Sequence, residues 1–128
     1  MRTKNGNGKE IRIFVDGSGQ GPNEKPSGFA YVREDTREKK VERLPGLTSN
    51  QAEYRGLIFA LKEMPAGSRI EALMDSLLVV SQLRGEYRII DRKLATLAAE
   101  VKTIVEQRKL NLTVMWIPRN ENRAGKLL

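Results

Sequence analysis

Apolar residues fall along the chain in two rhythms. Short apolar runs bounded by glycine, proline or charge read as strands. They are Ile11 to Asp16, halted by Gly17; Phe29 to Asp35 and Lys39 to Leu44, a hairpin joined by a short charged turn; Arg69 to Asp75; and Asn111 to Ile117, halted by Pro118. Longer segments carry a helical period. Glu53, Leu57, Ala60, Leu61 and Met64 share one face of a helix over 51–64, for which Asn50 is the expected cap. Pro65 and Gly67 end it. Ser76 to Leu83 reads as a short helix closed by Gly85. Asp91 opens a longer one to about Lys109, with Leu94, Leu97, Val101, Ile104 and Val105 on its apolar face. Asn122 to Leu128 is long enough for one or two helical turns.

Between these elements lie a glycine- and proline-punctuated loop, Gly17 to Gly28, and a second break at PGLTSN. Residues 1–9 are polar and glycine-rich, and read as a flexible N-terminal arm to one domain over 10–128. The order β-β-β-α-β-α-α-β-α predicts an α/β fold, a mixed sheet covered by helices. The first, fourth and fifth strands are expected to be parallel, joined by helical crossovers.

Composition narrows the chemistry. At 128 residues the chain is long enough for a substantial core. It has no cysteine and no histidine. Disulfides, thiolate or imidazole metal sites, cysteine nucleophiles and serine–histidine hydrolysis are therefore excluded. Lys and Arg number 23 against 16 Asp and Glu, a net charge of +7, which favours polyanions, nucleic acid above all. No apolar run approaches the ~20 residues of a membrane span. MRTKNGNGKE lacks an apolar signal core, so no membrane partner and a cytoplasmic location are expected. GSGQG lacks both the GxGxxG spacing and a phosphate-loop lysine.

Most acids lie in charge-mixed, solvated stretches. Three do not. Asp16 and Asp75 each end a strand expected to be parallel, at the edge where open α/β sheets bind ligands. Glu53 lies on the apolar face of its helix, where an unpaired charge is costly. Either a shared divalent metal or an Arg or Lys partner must compensate it. Clustered carboxylates without nitrogen or sulfur ligands suit Mg²⁺ or Mn²⁺. A pair of such ions is a common device for attack of water on a phosphodiester.

Four segments, IFVDGS (13–18), TSNQAEYRGLIFAL (48–61), MDSLLVVSQLRGEY (74–87) and WIPRNENRA (116–124), together resemble type 1 ribonuclease H, in its compact reverse transcriptase-like branch. The resemblance implies a ribonuclease H-like five-stranded mixed sheet, order 3-2-1-4-5, with helices on both faces. It implies cleavage of the RNA strand of an RNA/DNA hybrid with two Mg²⁺ ions, for which Mn²⁺ can substitute, by a monomer. Asp16, Glu53 and Asp75 take the catalytic, metal-holding places. The Thr48-Ser49-Asn50-Gln51 loop is expected at sugar 2′-hydroxyls in the hybrid's minor groove, a contact that tells RNA from DNA. Gly17 and Ser18, with Arg119 and Asn122, are the other expected nucleic-acid contacts.

One departure is serious. The family pattern ends in a fourth acid directly after an alanine, as in N-x-x-A-D, whereas this chain reads Asn122-Arg123-Ala124-Gly125, with one residue fewer between asparagine and alanine. Gly125 stands at the position of the missing metal ligand. The reading is therefore an impaired nuclease. The alternative is a non-catalytic binding module for RNA/DNA hybrid or double-stranded RNA. A different nuclease on the same fold, such as a transposase or junction resolvase, is the third possibility, and the TSNQAE loop speaks against it.

Overall fold

A computed structural model describes residues 10–22 and 25–128, so the expected arm over 1–9 lies outside the described residues. Five strands form one sheet: β1 (Glu10–Ser18), β2 (Gly28–Arg33), β3 (Lys39–Arg43), β4 (Arg69–Met74) and β5 (Asn111–Trp116). Their order is β3-β2-β1-β4-β5. The hairpin strands are antiparallel, and β1, β4 and β5 run parallel as expected. Three α-helices are interleaved with the strands: α1 (Ser49–Glu63) between β3 and β4, and α2 (Leu77–Leu83) and α3 (Arg92–Gln107) between β4 and β5.

The alternation of β1 sorts its side chains to two faces. Ile11, Ile13 and Val15 point to the main core, with Tyr31, Ile70, Ala72 and Met74. All three α-helices contribute to that core, through residues such as Leu57 and Leu61 of α1, Val79 of α2, and Leu97 and Val101 of α3. Phe14 points to the opposite face, with Ala30, Val32 and Leu73. A C-terminal 3-10 turn, Arg123–Leu127, covers part of that face by burying Ala124 and packing Leu127. The expected helices on both faces thus divide unequally: three α-helices on one face, and the Arg123–Leu127 3-10 turn on the other. No helix among the described residues is long and apolar enough to cross a membrane.

Two boundaries differ from the sequence reading in ways that matter for the site. β1 does not stop at Asp16. It continues through Gly17 and Ser18, because they pair with Phe29 and Gly28 of β2 after the ladder to β4 has ended at Phe14. The cap of α1 is Thr48, not Asn50. Thr48 Oγ1 accepts from the Gln51 N–H at 3.1 Å, and Gln51 Oε1 accepts from the Thr48 N–H at 3.0 Å. This reciprocal box satisfies two donors at once and starts the helix before Asn50.

Candidate metal centre

The acidic cluster is assembled by close backbone approach. A Cβ on Gly17 would stand 2.3 Å from the Ala52 carbonyl carbon, and one on Gly56 would stand 3.0 Å from the Asp16 carbonyl oxygen. Glycine at both places lets α1 lie directly on the end of β1. The Gly17 N–H then donates to Glu53 Oε1 at 3.0 Å. Asp75 follows the last residue of β4, and Ser76 behind it caps α2 by accepting from the Val79 N–H at 3.2 Å. One carboxylate oxygen each from Asp16, Glu53 and Asp75 lies within 4.8 Å of the others.

The cluster is electrostatically unbalanced. Glu53 is 4% exposed, and its Oε2 is buried without a hydrogen-bond partner. Burial pushes its carboxyl far above the usual carboxylate range, and the Asp16 carboxylate beside it pushes the same way; the Gly17 N–H pulls back less. Two carboxylates this close bond to each other only through a shared proton. Asp75 is also raised, chiefly by burial, while a hydrogen bond from Asn122 and the charge of Arg119 draw it back. No Arg or Lys is salt-bridged to any of the three acids among the described residues. Of the two compensations the sequence left open, a cation fits. An orphaned buried carboxylate oxygen and an all-oxygen donor set match a hard divalent ion.

Gly125 approaches the same cluster from the opposite face. A Cβ there would stand 3.0 Å from Asp16 Oδ2. A carboxylate at this position would enter the cluster; glycine supplies none.

The expected nucleic-acid residues separate into groups. Gly17 and Ser18 lie on β1 just beyond Asp16. Thr48, Ser49, Asn50 and Gln51 form the N-terminus of α1, with Thr48 and Gln51 engaged with each other in the capping box. This end of α1 is tied to the tail of β1. The Gln20 N–H donates to the Leu47 carbonyl at 2.8 Å, and Gln20 Oε1 accepts from the Gly46 N–H at 2.9 Å. Buried Ser27 accepts from the Leu47 N–H at 3.0 Å. The sequence reading missed Gln20 and Ser27, for nothing local marks a polar residue as a loop tie. Arg119 is exposed and near enough to Asp75 to influence its ionisation. Asn122 is different. It is 3% exposed and its side-chain amide is spent within the fold. The structure turns the Asn122 side chain inward, to Val15, Asp75 and Ala124, where the sequence expectation had it at the nucleic acid.

The reverse transcriptase-like family model matches residues 23–128. The bifunctional protein Rv2228c of Mycobacterium tuberculosis is 31% identical over 121 residues, which cover 88% of this chain and 32% of that protein. The chain thus spans about a third of the length of this curated relative. LC11-RNase H1, isolated from compost by a metagenomic approach, superposes with a TM-score of 0.80 at 31% identity, over 92% of this chain and 91% of that one. The same enzyme in complex with an RNA/DNA hybrid superposes with a TM-score of 0.78. RNase H1 of the halophilic archaeon Halobacterium salinarum shares the fold, with a TM-score of 0.80 at 24% identity over 94% of each chain. With the sheet order, the acidic cluster and these matches in agreement, the chain belongs to the type 1 ribonuclease H family, in its reverse transcriptase-like branch.

Proposed function

We propose that this chain is a metal-dependent endoribonuclease that hydrolyses the RNA strand of RNA/DNA hybrids, with its rate lowered by Gly125. The observation that carries this reading is the convergence of Asp16, Glu53 and Asp75 from three different elements around an unsatisfied buried oxygen of Glu53. The hybrid bound to LC11-RNase H1 supports the substrate class. Asp16, Glu53 and Asp75 would hold Mg²⁺. A pair of such ions, when bound, would supply activation of a water and stabilisation of the charge developing on the scissile phosphate.

The chain's own groups do the rest. Asp16 lies between Glu53 on one side and the Gly125 turn on the other, and would hold the cation together with Glu53 and Asp75. Ser49 and Asn50, free of the capping box, meet sugar 2′-hydroxyls from the N-terminus of α1, and the Gly17–Ser18 backbone faces the same strand. The guanidinium of Arg119, close to Asp75, holds a phosphate near the cluster. The net charge of +7 makes binding salt-dependent.

Gly125 favours a second reading, a binding module for hybrid or double-stranded RNA without catalysis. End-labelled RNA/DNA hybrid, incubated with this chain and with Gly125→Asp across Mg²⁺ and Mn²⁺ concentrations, separates the two. RNA-strand cleavage by either protein, faster with Gly125→Asp, supports the nuclease. Salt-dependent binding without cleavage by either supports the module. Cleavage of all-DNA duplex in preference to hybrid overturns both.

A further inference from the structure

Asn122 was expected at the nucleic acid, yet every polar group it has is committed inside the protein. Its Nδ2 donates to the Val15 carbonyl and to Asp75 Oδ2, both at 2.9 Å. Its Oδ1 accepts from the Ala124 N–H at 3.1 Å. On its backbone, the N–H donates to the Arg119 carbonyl and the carbonyl accepts from the Gly125 N–H, both at 3.1 Å. One amide thereby ties together the residue before Asp16, the Asp75 carboxylate, and the turn that carries Gly125 to within reach of Asp16. Val15 lies on β1 and Asp75 directly follows the adjacent parallel strand β4; the third comes from the far end of the chain.

Such a residue does more than fill space. A primary amide has two N–H donors and one carbonyl acceptor, and here each side has a partner in a different segment. Donation to Oδ2 fixes the rotation of the Asp75 carboxylate about its terminal bond, which is otherwise broad and soft. Groups that orient metal ligands in this way typically govern metal affinity 10–100-fold, as an order of magnitude.

We infer that Asn122 is a positioning residue that holds the Asp75 carboxylate toward the acidic cluster, in register with the end of β1, and thereby sets the affinity of the cluster for its divalent cation. The inference rests on the metal-dependent reading above and names a residue that acts through Asp75 without touching substrate.

Three variants test it, with Mg²⁺ and Mn²⁺ alone as probes. Asn122→Ala removes all the side-chain bonds. Asn122→Ser retains a hydroxyl able to accept from the Ala124 N–H but is too short to donate to Asp75. Leu127→Ala loosens the same turn by removing its packing on the back face of the sheet and leaves the amide alone. Metal affinity is read by the cation-dependent rise in melting temperature and by Mn²⁺ titration followed by electron paramagnetic resonance, neither of which needs turnover. Asn122→Ala and Asn122→Ser are expected to weaken affinity about tenfold or more, while Leu127→Ala lowers the melting temperature and keeps the affinity of the parent. Affinity within twofold of the parent in Asn122→Ser overturns the inference, as does an equal loss in Leu127→Ala, which would mean that general loosening of the turn is the cause. If Asn122→Ala does not fold, the Asn122→Ser and Leu127→Ala pair decides. A parent protein that binds neither cation overturns the metal reading itself, an outcome distinct from either of these.

Discussion

The two sides of the acidic cluster contrast. On one side, β1, α1 and β4 bring Asp16, Glu53 and Asp75 together, and glycine at positions 17 and 56 makes the close approach. On the other, the C-terminal turn arrives with equal care. Ala124 is fully buried, Asn122 is bonded to both strands, and the Gly125 backbone stands one methyl group from contact with Asp16. The first side brings oxygen ligands and the second brings none. Position and chemistry are therefore separable here. The turn keeps its place because of packing and the Asn122 amide, and its place does not depend on a carboxylate at residue 125.

Breaking the acidic side has the largest expected effect. Asp16→Asn should lower single-turnover cleavage of hybrid by about 10³-fold, about 4 kcal/mol of barrier, with the fold retained by circular dichroism. Completing the other side comes next. Gly125→Asp should raise cleavage by about 10–100-fold, about 1.4–2.7 kcal/mol, and lower the melting temperature in EDTA, since it adds a carboxylate beside Asp16. A gain in rate with no loss of metal-free stability would mean that residue 125 stands farther from the cluster than its backbone indicates.

The imbalance on the acidic side also predicts a pH dependence. Glu53 has a proton affinity in the folded state above its ordinary value of 4.5. The folded protein therefore binds more protons than the unfolded one above that pH. Metal-free stability should fall as pH rises from about 5 toward 8, by up to about 1.4 kcal/mol per pH unit. Denaturant unfolding in EDTA checks the sign. Glu53→Gln should flatten the profile, and saturating Mg²⁺ should restore the parent at pH 8 by about 2.7 kcal/mol at 100 times the dissociation constant. The smallest effect is at the expected hybrid-binding loop. Thr48→Ala removes one side of the capping box and should cost about 1 kcal/mol, read in the same unfolding experiment.

Much of this was legible before the structure. Strands and helices followed from apolar periodicity, and their order made Asp16 and Asp75 neighbours at the carboxyl ends of parallel strands. Glu53 stood out because a charge on an apolar helix face needs a reason. The cap of α1 was misread because Asn50 and Thr48 are both good caps, and only the reciprocal bond with Gln51 separates them. The burial of Asn122 was not legible for a different reason. Nothing local in the polar stretch Arg119 to Arg123 marks it as buried, and its partners, Val15 of β1 and Asp75 just beyond β4, lie far away in the chain.

The sequence by itself determined the elements, the parallel core strands, the absence of histidine and cysteine chemistry, and the identity of three out-of-place acids. These are properties of local pattern and composition. The tertiary structure alone decided that Glu53 has an oxygen without a partner, that Asn122 faces inward, and that Gly125 stands beside Asp16. Each of those depends on distances between segments remote in sequence, which are set by how the end of the chain packs across the sheet and are not written in any one stretch of it.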